Sequence, residues 1–149
     1  MATMKAALHD GKGSMHLVEL PRPVAEPGYV VVRVRTTGIC GSDLLIYADA
    51  TQPETQPAGH EIAGEVAEVG PGVEGLRPGD RVAVEGIGQG RACYRCWYCR
   101  QGQFRFCQHR SQDTGGGFAQ YLRRKAPGCY KLPDHLSWEE GALVEPLAV

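Results

Sequence analysis

At 149 residues the chain has the length of one domain. Its 16 basic and 17 acidic residues leave a net charge of -1, which gives no general pull toward nucleic acid or an anionic membrane surface. Apolar runs such as Tyr29 to Val32 are far too short to span a bilayer, and Met1 to Asp10 lacks the apolar core of a signal peptide.

Twenty glycines and ten prolines, spread between short apolar runs, predict many turns in a mainly β chain. Met4 to His9 and Met15 to Leu20 read as strands joined by the turn Asp10-Gly11-Lys12-Gly13. In the next strand Val30, Val32 and Val34 alternate with Val31, Arg33 and Arg35, which predicts one apolar face and one largely wet face. Ser42 or Asp43 is placed to cap a short helix through Tyr47. Ile62 to Val69 and Arg81 to Val84 are further strands, separated by Gly70-Pro71-Gly72 and Pro78-Gly79-Asp80. Phe118 to Leu122 and Cys129 to Leu132 follow the run Gly115-Gly116-Gly117. Ser137 and Glu140 have the spacing of a capping box, opening a helix that has barely started when Pro146 arrives. Such short strands with frequent turns point to a small barrel or sandwich.

Two constellations carry chemistry. Cys93-x2-Cys96-x2-Cys99-x7-Cys107 brings four soft thiolate ligands into one short stretch, as a closed tetrahedral zinc site requires. Arg91, Arg95, Arg100 and Arg105 surround it and would offset its negative charge. Disulfides would need an oxidising compartment, whereas with no export signal in the residues read these thiols are expected in a reducing, cytoplasmic one. An iron–sulfur cluster is the sharper alternative, but its bacterial run has a three-residue final gap followed by proline, and here Gln108 follows Cys107. Cys129 stands apart and reads as a small buried apolar side chain.

The second constellation is Cys40, then His60 and Glu61, and far downstream Glu145. A thiolate, an imidazole and one or two carboxylates can hold zinc while leaving a coordination position open. Taken singly, each of these residues has an ordinary structural explanation, and their spacing alone leaves the choice open.

The order of motifs adds to this. Gly59-His60-Glu61-x2-Gly64-x5-Gly70-x2-Val73, with Gly38 to Asp43, Gly79 to Val82, the cysteine cluster and Gly116 to Tyr121, resembles the zinc-dependent medium-chain dehydrogenase superfamily. The pattern is most similar to its sorbitol/polyol and threonine dehydrogenase branch. The resemblance implies a GroES-like, partly open β-barrel over residues 1–149, with short helices and a protruding structural-zinc lobe at about residues 90–112. It implies Cys40 and His60 as ligands of a catalytic zinc, Glu61 and Glu145 as direct or indirect ligands, and Ser42 as the first step of a proton relay. Asp43 would orient His60, and Tyr47 stands where a substrate-facing residue often lies.

Two zinc ions per chain follow from that pattern. The implied reaction is zinc-assisted hydride transfer from a small alcohol or polyol to NAD or NADP, in an enzyme that is a homo-oligomer when complete. No glycine run here, including Gly86 to Gly90, has the strand–turn–helix setting of a dinucleotide fingerprint. The Rossmann domain and the C-terminal return segment are therefore expected outside these residues, and the chain alone is expected to bind zinc without turnover. The alternative is a non-enzymatic zinc module or a scaffold for a partner.

Overall fold

The structure, a computed structural model, describes residues 2–49, 53–86, 88–111 and 115–148. It is mostly β. Strand β1 (Thr3–His9) and strand β2 (Met15–Pro21) form an antiparallel hairpin in register from Thr3↔Pro21 to His9↔Met15. The turn works as the sequence suggests: the Asp10 carboxylate accepts the amides of Lys12 and Ser14 at 2.8 and 3.1 Å. Those amides hold the Asp10 carboxyl below its ordinary value.

Five further strands build a curled half-barrel sheet in the order β6-β3-β4-β5-β7, every neighbour antiparallel. They are β3 (Tyr29–Thr37), β4 (Ile62–Val69), β5 (Arg81–Val84), β6 (Tyr121–Lys125) and β7 (Cys129–Lys131). Two register shifts between β3 and β4, at Val31/Val32 and Val34/Thr36, add the local bend and twist that curl the sheet. On one face Val30, Val32, Ile62, Val66, Val82 and Leu122 pack into the main core, each at 1% exposure or less. On the other, Ala63, Ala83 and Leu132 receive the helix α3 (Trp138–Ala142). Ser137 caps α3 through the expected box: its hydroxyl accepts the Glu140 amide at 3.1 Å, and the Glu140 carboxylate accepts the Ser137 amide at 2.7 Å. Arg81 stacks on the Trp138 ring at 4.2 Å and fixes this helix to β5.

Four expectations change in the fold. The strand placed at Phe118 to Leu122 lies at Tyr121–Lys125, because residues 118–120 pair with β1 instead. Ala7 donates to Phe118 O at 2.8 Å, Gln120 donates to Lys5 O at 3.0 Å, and Ala6 and Ala119 form a bridge. This segment is the corner through which the hairpin joins the main sheet. Val31 is fully buried rather than wet. Its neighbours in register, Glu68 and Arg123, are paired with Arg22 (2.6 Å) and Glu26, which lays ion-paired stems over that face. The first helix, α1, runs Gly41–Asp49 and so begins before Ser42 and Asp43. Finally, the C-terminal helical segment does not stop at Pro146. After Leu143 a second short helix, α4 (Val144–Leu147), accommodates that proline in its first turn, where no amide is required. No helix among the described residues is long and apolar enough to cross a membrane.

Candidate metal centres

The cysteine lobe assembles almost wholly from local turns. A 3-10 turn at Gln89–Arg91 leads to Cys93, Cys96 is the N-cap of helix α2 (Trp97–Arg100), Cys99 lies within α2, and Cys107 follows a 3-10 turn at Phe104–Phe106. Tyr94 holds a φ of 60°, the one left-handed non-glycine backbone among the described residues. That turn brings amides onto sulfur: Cys96 N–H donates to Cys93 Sγ at 3.3 Å, and Cys93 N–H donates to Cys107 Sγ at 3.3 Å. The amide of Arg95 chiefly pulls the Cys93 thiol down to about 6, the amide of Cys99 lowers Cys96, and burial pushes Cys99 up to about 12.

All four sulfurs lie within 4.8 Å of one another, with Cys93 and Cys99 3.9 Å apart. Bonds of about 2.3 Å in a tetrahedron separate sulfurs by about 3.8 Å, so the set fits a zinc-sized dication. The lobe has little other core: Ala92 and three of the cysteines are its buried residues, with Tyr98 and Phe104 packed beside them. All six cysteines are free thiols.

The second centre depends on the sheet. Thr37 at the end of β3 pairs with Ile62 at the start of β4, and Gly38 N–H donates to Glu61 O at 2.8 Å. Cys40, just past β3, therefore stands beside His60 and Glu61, just before β4. The ligand atoms of the three lie within 4.8 Å of one another. Glu61 is buried, while Cys40 and His60 are half-buried. The Glu61 carboxylate fits because residue 38 is glycine; a Cβ there would stand 1.9 Å from Glu61 Oε2. Gly59 takes a φ of +87° to turn His60 into the site.

Asp43 organises two of the donors. Its Oδ2 accepts the Cys40 amide at 2.9 Å, and its Oδ1 faces His60 Nδ1 at 3.5 Å. In α1 it acts as the third helical residue reaching back to the residue before the helix, which is half of a capping box. Nδ1 is thereby turned toward a carboxylate, leaving Nε2 to face a metal.

The remaining residues singled out in the sequence lie elsewhere. Ser42 is exposed in the first turn of α1. The Tyr47 hydroxyl donates to Gly13 O in the hairpin turn rather than facing the three donors. Glu145, half-buried in α4, lines a groove with Glu85, Arg105 and Tyr130 and is not among the three clustered donors. Cys129 is buried in the main core, and burial pushes its thiol up to about 12. Residues 50–52 of the segment before His60, and residue 112 at the far end of the expected lobe, lie outside the described residues.

Sequence reasoning missed the second layer of this site. Residues 115–118 brace residues 56–59 by four hydrogen bonds, and His9 and Glu54 clasp each other beside Asp43 in the wall of an apolar cavity of about 590 Å³. The glycine run was the one local signal of such close backbone approach.

Residues 26–134 match the alcohol dehydrogenase GroES-like domain family. The L-threonine 3-dehydrogenase of Pyrococcus horikoshii is 42% identical over 139 residues, 88% of this chain and 39% of that enzyme. The sorbitol dehydrogenase of Bacillus subtilis is 37% identical over 98% of this chain and 43% of its own length. Among solved structures, the 2R,3R-butanediol dehydrogenase of Bacillus subtilis superposes with a TM-score of 0.75 at 36% identity, covering 98% of this chain and 45% of that one. An oxidoreductase/dehydrogenase of unknown specificity from Escherichia coli gives a TM-score of 0.83 at 33% identity, over 99% of this chain and 45% of its own. The chain thus spans about two fifths of the length of the curated relatives it matches.

Proposed function

The chain belongs to the alcohol dehydrogenase GroES-like domain family, and from that premise we propose that it is the metal-carrying catalytic part of a zinc-dependent alcohol or polyol dehydrogenase. The observation that carries this reading is the convergence of Cys40, His60 and Glu61, with Asp43 behind them. A thiolate, an imidazole and a carboxylate form a borderline-soft set that suits zinc and leaves a position for substrate. Zinc held there supplies Lewis-acid polarisation of an alcohol oxygen, easing its deprotonation and the transfer of hydride from its carbon to a nicotinamide.

The chain's own residues do the rest. Asp43 fixes the Cys40 backbone and the His60 ring, so both donors hold their direction without rearrangement. The Ser42 hydroxyl, exposed and two residues from Cys40, passes the alcohol proton outward. Glu145, which lines a groove with Glu85 and Arg105, would be a direct or indirect ligand of the same zinc. The cysteine lobe, at about residues 90–112, takes a second zinc that replaces the apolar core it lacks. NAD or NADP is bound by residues outside these 149, consistent with the absence of a dinucleotide fingerprint in the sequence.

Metal analysis tests this directly. Two zinc per chain are expected, falling to one in Cys40→Ser with the lobe still loaded. A single zinc in the unaltered chain, or brown iron-containing protein, overturns the two-centre reading. Sorbitol, butane-2,3-diol and threonine oxidation with NAD is expected to be absent from the 149 residues alone, and robust turnover would refute that part.

A further inference from the structure

Strand β6 turns Leu122 and Arg124 inward. Leu122 joins the apolar core. Arg124, 1% exposed, is the largest fully buried side chain described in the molecule. Burying a guanidinium carries a large desolvation penalty, which its contacts must offset.

Those contacts run in two directions. The aliphatic stem lies against Gly90, in the turn that leads into the cysteine lobe: a Cβ on Gly90 would stand 2.7 Å from Arg124 Cδ and 3.1 Å from Cγ. Behind Gly90 the Gly128 backbone packs so closely that a Cβ on Gly128 would stand 2.3 Å from Gly90 Cα. The next residue, Lys125, donates its Nζ to Ala92 O, holding the same root of the lobe. At its other end, Arg124 Nη2 donates to Gly115 O at 3.3 Å.

Gly115 opens the brace that presents His60. Its amide donates to Gln56 Oε1 at 3.3 Å; Gly116, Gly117 and Phe118 donate to the carbonyls of Pro57, Gly59 and Ala58 at 2.6, 2.9 and 3.0 Å. The residue after Gly59 is His60. We propose that Arg124 is a positioning residue that couples the cysteine lobe to the Cys40–His60–Glu61 centre, so that closing the lobe tightens the backbone that delivers His60. The proposal rests on the two-centre reading above.

A double-mutant cycle on the full chain tests it. Amide hydrogen exchange is followed at Gly116, Gly117 and Phe118 relative to Val66, whose amide bonds Asp80 O within the core sheet. Cys107→Ser, which opens the lobe, is expected to speed exchange at the three amides about tenfold over Val66, as selective local opening would. Arg124→Met is expected to do the same, and the double variant no more than either alone. Arg124→Lys, which keeps the stem on Gly90, should regain part of the protection.

With all three donors untouched, Arg124→Met should also weaken cobalt(II) binding at the Cys40–His60–Glu61 centre about tenfold. If Arg124→Met does not fold, Gly90→Ala presses on the same stem from the lobe side and should give the same pattern. Additive effects, or acceleration no greater than at Val66, would overturn the coupling. A chain that shows the non-additive pattern yet takes up no cobalt at Cys40 and His60 keeps the coupling and sinks the catalytic-centre reading.

Discussion

The cysteine lobe and the Cys40–His60–Glu61 centre solve one chemical problem by opposite means. In the lobe, four donors sit within one short stretch, and the helical turn from Cys96 to Cys99 with its amide-to-sulfur bonds shapes the site locally. The other centre draws its donors from the ends of two paired strands and depends on the Thr37↔Ile62 register, on Asp43 and on the brace at residues 115–118. The lobe is closed and low in apolar core, whereas the centre has three donors and a well-packed sheet beneath it. A metal can substitute for a core where ligands are local, but an open centre needs a core first.

The largest expected effect separates the two on removal of metal. Structural zinc in such small sites contributes apparent binding energies of about 10 kcal/mol or more, so a strong chelator should unfold the lobe. Limited proteolysis should then cut within residues 91–111 while the β3–β4 amides remain protected. Uniform loss of protection would show that the lobe and sheet fold as one. In the opposite direction, Leu122→Ala should cost about 3 kcal/mol in denaturant unfolding, because Leu122 is fully buried in the sheet core. Under mild denaturant that variant should lose cobalt from the Cys40 centre before it loses metal from the lobe.

Asp43→Asn sharpens the contrast without touching either core. Loss of an orienting carboxylate should weaken metal at the Cys40 centre by about 10- to 100-fold and leave the lobe unchanged, as read by cobalt titration. The smallest effect serves as a control remote from both centres. Ser137→Ala should cost about 1 kcal/mol through the lost cap. Its partner Glu140 has a carboxyl held below the ordinary value, first by the Ser137 amide, so its contribution is present above the ordinary glutamate value. That contribution disappears as pH falls through the lower folded value, and Glu140→Gln should flatten this part of the acid profile.

What was legible in the sequence follows the same division. The four lobe cysteines, the Asp10 turn, the Ser137 box and the bounds of β4 and β5 are set by neighbours along the chain, and each reads directly from residue type and spacing. The corner at residues 118–120 was misplaced because its partner, β1, lies more than a hundred residues upstream. Val31 carries no local mark of the ion pairs that cover it. Alternation along β6 puts Arg124 at an inward register, yet only the folded chain shows the lobe root and Gly115 on either side of it. The helix opening at Ser137 is legible, but its break at Leu143 and restart through Pro146 are not, because periodicity does not record such a break. The family resemblance implies Glu145 as a direct or indirect ligand, whereas the fold sets it in a groove with Glu85 and Arg105, a placement no spacing in the sequence records.

The pairing of Thr37 with Ile62 has one more consequence. It sets the spacing of Cys40 from His60 by strand register, so the length of chain that leaves and returns between them is free to differ. Residues 56–59 are held by the brace from residues 115–118, so only changes that spare this stretch leave the two donors where the register puts them. Changes confined to the rest of that connection would then alter the surroundings of Cys40 and His60 without altering their spacing.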